Sequence, residues 1–145
     1  MIALIQRVSE ASVSVDGDVI GRIGRGLLAL VAVHRDDSER DIERLSQRIL
    51  GYRVFPDTAD RMNHSLLDER LGLLLVPQFT LAADTRKGTR ASFTRAAAPD
   101  KGEAFFLALV DRCRQRLDKV ETGHFGANMQ VQLTNDGPVT FWLES

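Results

Sequence analysis

Cysteine is nearly absent from this chain: 145 residues contain one, Cys113. A single thiol excludes an internal disulfide and any zinc site built on paired cysteines. Cys113 falls on an apolar helical stripe, so it is expected as a small core residue rather than a nucleophile. Long hydrophobic runs are also missing. The apolar stretches fall far short of the roughly 20 residues a spanning helix needs, so no membrane passage is expected. The opening MIALIQRVSEASV has no basic start followed by a long apolar stretch, so it does not read as a secretory signal. A cytoplasmic protein is the resulting expectation. Charge of one sign is not in excess: 19 basic and 20 acidic residues leave a net −1. That balance argues against a protein that coats nucleic acid indiscriminately, and any RNA contact must come from a local patch. Cofactor signatures are lacking as well. There is no Walker loop and no GxGxxG, and His34, His64 and His124 have neither metal-ligand spacing nor a GxSxG neighbour. No cofactor and no metal is expected, and the histidines read as structural or surface residues.

What is present suits one compact domain over residues 1–145. The hydrophobic fraction is 43% and the charged fraction 27%, both ordinary for a globular chain. No repeat, low-complexity segment or Pro/Gly/Ser linker divides it. Residues 2–8 and 11–15 alternate, with Ile2, Leu4 and Val8 on one face and Ala11, Val13 and Val15 on one face. Asp16-Gly17 then predicts a tight turn into residues 19–23, a hairpin signal. LLALVAV at 27–33 and GLLLV at 72–76 are continuously apolar, as strands covered on both faces are. Ser38 with Asp41 resembles a capping box, and Ile42, Leu45 and Ile49 line the helix it opens, with Gly51 as its stop. A second helix is expected from Asp100, with Glu103 as capping partner and Phe106, Leu109, Val110, Cys113 and Leu117 on its buried stripe. Two closing strands follow, 129–133 and 139–143, separated by Asn135-Asp136-Gly137-Pro138. Strands grouped around two helices predict an α/β or α+β domain with a mixed sheet.

Two segments stand out from this framework. Pro77-Gln78-Phe79-Thr80 leaves the end of a buried strand, where functional groups are often carried. The bland alternative is that Thr80 caps a turn while Gln78 faces water. Arg86, Lys87, Arg90 and Arg95 follow, opposed nearby only by Asp84. A basic loop of this kind is commonly just a solvated surface, but beside a polar pocket it can grip phosphates. The second segment, NDGPVT at 135–140, has turn chemistry in Asn-Asp-Gly and a proline that a strand start tolerates.

With MIALIQRVSEASVSVDG at the start and YRVFPD in the middle, QFTLAADTRKGTR and NDGPVTFWLES make the chain resemble the D-aminoacyl-tRNA deacylases, formerly called D-tyrosyl-tRNA deacylases, along its whole length. The resemblance implies an α/β domain with a mixed, strongly curved sheet and two main helices, in α/β/β layers. It also implies a homodimer with a barrel-like interface and active sites between the subunits. Gln78, Phe79 and Thr80 would be catalytic. Gly137 and Pro138, expected as a cis pair, would reach in from the partner and reject L-amino acids. Substrates would be D-aminoacyl-tRNA and some glycyl-tRNA, bound at the 3′ end; the nucleic acid is RNA, not DNA. Phe125 and Met129 are candidates for an adenine slot, although core packing explains Met129 equally well. Arg86, Lys87 and Arg90 are candidates for tRNA phosphates.

An activated ester needs mainly orientation and oxyanion stabilisation, which backbone N–H groups around 78–80 can supply without a catalytic triad. Thr80 has no companion base, which argues against a nucleophilic role. Two positions depart from the family pattern: Pro77 replaces its usual Ser, removing an N–H and a hydroxyl, and Ala91 replaces a common Pro. The Pro77 change keeps open a non-catalytic module that binds RNA ends or nucleotides. A generic esterase is the third reading, which no nucleophile–base pair supports.

Overall fold

The computed structural model describes residues 1–145. Its framework is one mixed sheet. Strand β1 (Ile2–Val15) turns at Asp16-Gly17 into β2 (Asp18–Ile23), and β3 (Gly26–Ala32) follows. Asp16 has φ +50° and Gly17 φ +85°, the backbone that a two-residue hairpin turn requires. Helix α1 (Glu39–Gly51) leads to the small hairpin β4 (Phe55–Pro56) and β5 (Met62–His64), then to the single-turn helix α2 (Leu66–Glu69). Strand β6 (Gly72–Pro77), a 3-10 turn (Phe79–Ala82), helix α3 (Pro99–Arg114), β7 (Val120–Thr122) and β8 (Met129–Glu144) complete the chain.

Strands are hydrogen-bonded in the order β2-β1-β3-β6-β7, and β8 lies along the other edge of β1. The β3–β6 and β6–β7 pairs are parallel and the others antiparallel. The sheet curls until β2 returns to β6 and β7: a Cβ on Gly21 would sit 2.9 Å from the Thr122 carbonyl oxygen and 3.3 Å from Leu74. This nearly closed curl explains why β3 and β6 are apolar throughout. Leu27, Ala29, Val31, Leu73 and Leu75 point towards α1 and α3 in the main core. Their neighbours Leu28, Leu74 and Val76 fill the inside of the curl with Val8, Ala11, Val13 and Ile23. Each apolar run therefore serves two cores, one per face.

The capping box at Ser38 and Asp41 is present. Phe106, Leu109, Val110, Cys113 and Leu117 are buried as their spacing predicts. Burial pushes the Cys113 thiol up to about 12, as befits a core residue.

Two expectations need correction, and one element was not expected. Helix α3 begins at Pro99, with Ala98 as N-cap and Asp100 inside its first turn, because proline suits a position whose N–H is unpaired in any helix. Beside the two main helices, as expected, stands one unforeseen single turn, α2, stabilised by a second capping box of Ser65 and Asp68. The closing strands are one continuous strand. Its Val8–Asn135 and Gln6–Thr140 pairings leave one β1 residue, Arg7, opposite four of β8, residues 136–139. The turn chemistry of Asn-Asp-Gly thus forms an outsized bulge, because β1 is long enough to pair on either side of it.

Candidate functional site

Strand β6 ends where the parallel part of the sheet opens. The Gln78 N–H donates to the Val31 carbonyl at 2.7 Å, closing the β3–β6 ladder. That N–H is therefore committed. The chain then enters its 3-10 turn, whose first residues, Phe79 and Thr80, have N–H groups with no acceptor within the turn. The Gln78 Nε2 donates to Thr80 Oγ1 at 2.6 Å. This amide is the only side-chain partner of the Thr80 hydroxyl, and it is a donor, not a base.

Pro77 occupies the last position of β6 at no cost to the ladder with β3. In the parallel register Val31 pairs with Pro77, and it is residues 76 and 78 whose polar groups face β3. The proline nitrogen faces the other side, beyond the end of β7, where its ring approaches Gly123: a Cβ there would lie 3.3 Å from Pro77 Cδ. A serine at this position would present an N–H and a hydroxyl at the same wall; the proline presents hydrocarbon.

Beside this strand end lies a cavity of about 510 Å³, lined by Val76, Pro77, Gln78 and Phe79 from the strand end and its turn and by Phe125, Asn128 and Met129 from the segment before and at the start of β8. The structure thus brings together Gln78, Phe79, Phe125 and Met129, which lie up to 51 positions apart in the sequence. Two glycines make the wall possible. A Cβ on Gly102 of α3 would lie 3.2 Å from the Phe125 ring, and one on Gly123 would lie 2.7 Å from Met129 Sδ. The His124 N–H also points at that sulfur, at 3.3 Å. Of the cavity's lining residues, seven of 12 are hydrophobic, with Gln78 and Asn128 among the polar exceptions. An apolar slot with a few placed polar groups fits a flat heterocycle with a polar edge.

The basic candidates lie apart from this cavity. Arg86, Lys87 and Arg90 border a separate cleft with Asp84 and Ser92. Its loop is tied at the base by reciprocal backbone hydrogen bonds between Asp84 and Ser92, at 2.8 and 3.0 Å. Arg86 grips the Asp84 carboxylate with both Nε and Nη2. The guanidinium holds that carboxyl well below the usual carboxylate range. Arg86 is therefore charge-balanced, whereas Lys87, Arg90 and the following Arg95 have no ion-pair partner.

Gly137 and Pro138 lie in neither place. They form the bulge of β8, and their peptide is cis. Arg7, whose side chain is only 13% exposed, anchors the bulge. Its Nε donates to the Asp136 carbonyl at 3.0 Å and its Nη1 to the Val54 carbonyl at 2.7 Å. Asn135 adds a second tie, accepting from the Val139 N–H at 3.0 Å and donating to Thr140 Oγ1 at 2.9 Å. Gly137 has φ +136°, and a Cβ there would lie 2.7 Å from Val139 Cγ2 and 3.2 Å from Arg7 Nη2. Sequence reasoning passed over Arg7. Its signal was a lone cation inside the alternating strand IALIQRVSEASV.

A curled mixed sheet backed by helices is the fold of a probable eukaryotic D-amino acid tRNA deacylase. The match has a TM-score of 0.87 at 18% identity and covers 99% of this chain and 98% of that one. A structure described as the c-Myc DNA unwinding element binding protein is nearer, with a TM-score of 0.95 and 38% identity, covering 100% and 99%. The chain belongs to the D-Tyr-tRNA(Tyr) deacylase family, whose model matches residues 4–144. A D-aminoacyl-tRNA deacylase of Alkalilimnicola ehrlichii is 66% identical over 145 residues, covering 100% of this chain and 97% of the relative. One of Escherichia coli O1:K1 / APEC is 54% identical over 144 residues, with 99% of each covered.

Proposed function

We propose that the chain hydrolyses the ester joining a D-amino acid to the 3′ end of tRNA, releasing the free amino acid and tRNA, and that glycyl-tRNA is also cleaved. The observation that carries this reading is the cavity at the end of β6, which Gln78, Phe79, Phe125 and Met129 line together in a chain of this family. The terminal adenine enters between Phe125 and Met129, and the ester lies against the 3-10 turn. There the Phe79 and Thr80 N–H groups stabilise the oxyanion that forms as water attacks the carbonyl. The carbonyl carbon gains the water oxygen, the bond to the ribose oxygen breaks, and that oxygen leaves with a proton. The substrate's own α-ammonium activates the ester, and the vicinal ribose hydroxyl helps to hold the water. With its sole side-chain partner a donor, Thr80 acts through its main chain.

The working unit is a homodimer. Strand β8 pairs with β1 alone, leaving its other edge unpaired, and Leu133 and Trp142 on it are exposed. The bulge at 136–139 lies outside the cavity of its own chain, which is consistent with its serving a second copy. A main-chain wall at Gly137-Pro138 beside the substrate's α-carbon leaves space for a D side chain and obstructs an L side chain. Selection by obstruction accepts many D-amino acids without reading any of them closely.

The test is ester release from D-Tyr-tRNA and L-Tyr-tRNA, alongside sedimentation of the protein. The expected result is release from the D form alone, by a dimer. Release from both would point to a generic esterase, and release from neither to a non-catalytic binder of RNA ends in which Pro77 has removed a needed donor.

A further inference from the structure

Two aromatic rings stand in solvent at the rim of the cavity. Phe79 is 57% exposed and Phe93 43%, their centroids 5.2 Å apart with planes inclined by 49°. Neither belongs to a core cluster. Exposed phenylalanines gain nothing for folding, and a paired, contiguous patch marks a contact surface. The pair is continuous with the cavity because Phe79 lines both. It is also held in place. Arg35 takes the Arg95 carbonyl with its N–H at 3.0 Å and the Thr94 carbonyl with Nη1 at 3.2 Å, while Asp84 and Ser92 close the loop.

The loop that carries Phe93 is cationic, although its basic cleft is separate from the cavity itself. Asp84 neutralises Arg86, but Lys87, Arg90 and Arg95 take part in no ion pair. A single-stranded polyanion with stacking bases meets both requirements at once.

We propose that the Phe79–Phe93 pair is a stacking platform for the unpaired nucleotide that precedes the terminal adenosine of the aminoacylated tRNA, with Lys87, Arg90 and Arg95 taking its backbone phosphates. This rests on the deacylase reading. It assigns the loop 84–95 to holding the strand that leads into the site, one nucleotide back from the ester.

The test uses three substrates: D-Tyr-tRNA, the minimal ester D-tyrosyl-adenosine, and D-Tyr-tRNA with an abasic residue at the penultimate position. Phe93→Ala should lower kcat/KM on D-Tyr-tRNA by roughly 5- to 150-fold, the range of one base–aromatic stack, chiefly through KM. It should leave D-tyrosyl-adenosine hydrolysis unchanged, and Phe93→Trp should restore the tRNA rate. The abasic substrate should cost the wild type the same factor and cost Phe93→Ala nothing more. Equal losses on tRNA and on the minimal ester, additive losses for the variant and the abasic substrate, or dissociation of the dimer by Phe93→Ala would each overturn the platform. An active wild type beside an indifferent Phe93→Ala would overturn the platform alone. A wild type inert on both D-Tyr-tRNA and D-tyrosyl-adenosine would overturn the deacylase reading and the platform with it.

Discussion

Replacing Arg7 with methionine keeps a chain of similar length in the strand but removes every polar tie between β1 and the β8 bulge. Three interactions disappear. The Nη1 bond to the carbonyl of buried Val54, at 2.7 Å, is the largest, since a charged donor contributes about 1.5–3 kcal/mol. The Nε bond to the Asp136 carbonyl, at 3.0 Å, is exposed and adds about 0.5–1 kcal/mol. The ion pair with the Asp136 carboxylate is 3.4 Å long and half exposed on the acidic side, so it adds less than about 1 kcal/mol. Together the loss is about 2–5 kcal/mol, or a fall in Tm of roughly 5–20 °C for a domain of this size. Differential scanning calorimetry reads the stability. The ratio of D-Tyr-tRNA to L-Tyr-tRNA hydrolysis reads the position of the bulge, and it should narrow as Gly137-Pro138 loses its anchor. A Tm within about 2 °C of wild type, together with an unchanged enantiomer ratio, would refute the assignment of Arg7 as the positioning residue of the bulge.

In Gly26→Ala the new Cβ would lie 1.9 Å from the Gly72 carbonyl oxygen, a main-chain atom that cannot step aside. The β3–β6 pairing should part, costing more than about 4 kcal/mol and leaving little folded protein in a urea titration. Gly123→Ala meets Met129 Sδ at 2.7 Å instead, the tip of a flexible side chain. It should raise KM for D-tyrosyl-adenosine several-fold, by pushing Met129 into the cavity, while moving the urea midpoint by less than about 1 kcal/mol equivalent. Asp41→Asn tests acid stability. The Ser38 N–H, then the Ser145 and Ser38 hydroxyls, hold the Asp41 carboxyl well below its ordinary value. A depressed folded pKa means that its contribution is fully present above the unfolded value near 3.8 and is lost as pH falls towards the folded one. The variant should be less stable at pH 7 by about 1 kcal/mol, the worth of a helix cap, and the gap should begin to narrow below about pH 4 and go on narrowing as the pH falls further, in parallel urea titrations.

The parts of the fold written in local pattern were legible. The Asp16-Gly17 hairpin, the Ser38 cap and the doubly buried strands each declare themselves within a few residues, through turn chemistry or uninterrupted apolar runs. What escaped depends on pairing at long range. Asn135-Asp136-Gly137-Pro138 read as a turn between two strands, because only the presence of β1 alongside shows that the ladder resumes beyond it. The N-terminus of α3 was displaced because Asp100 looks like a cap, whereas Pro99 supplies a helical φ one residue earlier. At the cavity, the resemblance supplied Gln78, Phe79, Phe125 and Met129, and the structure sets all four in the lining of one cavity. Composition and spacing alone would have left them as strand ends and core residues. Arg7 and Phe93 were not found, since a single cation in a strand and a single aromatic in a polar loop carry no periodic signal. Their significance lies in what they touch: a pair of carbonyls in one case, another exposed ring in the other.

The pairing of β1 with β8 also dictates when the molecule can be completed. Gln6 and Thr140, joined across that ladder, are 134 positions apart. On the ribosome, one side of β1 therefore waits, unsatisfied, for nearly the whole of translation. Contacts of such separation slow folding and prolong the exposure of an adhesive edge. The polar residues spaced along that edge, Gln6, Ser12 and Ser14 among them, then act as a safeguard for the nascent chain before they have any partner to face.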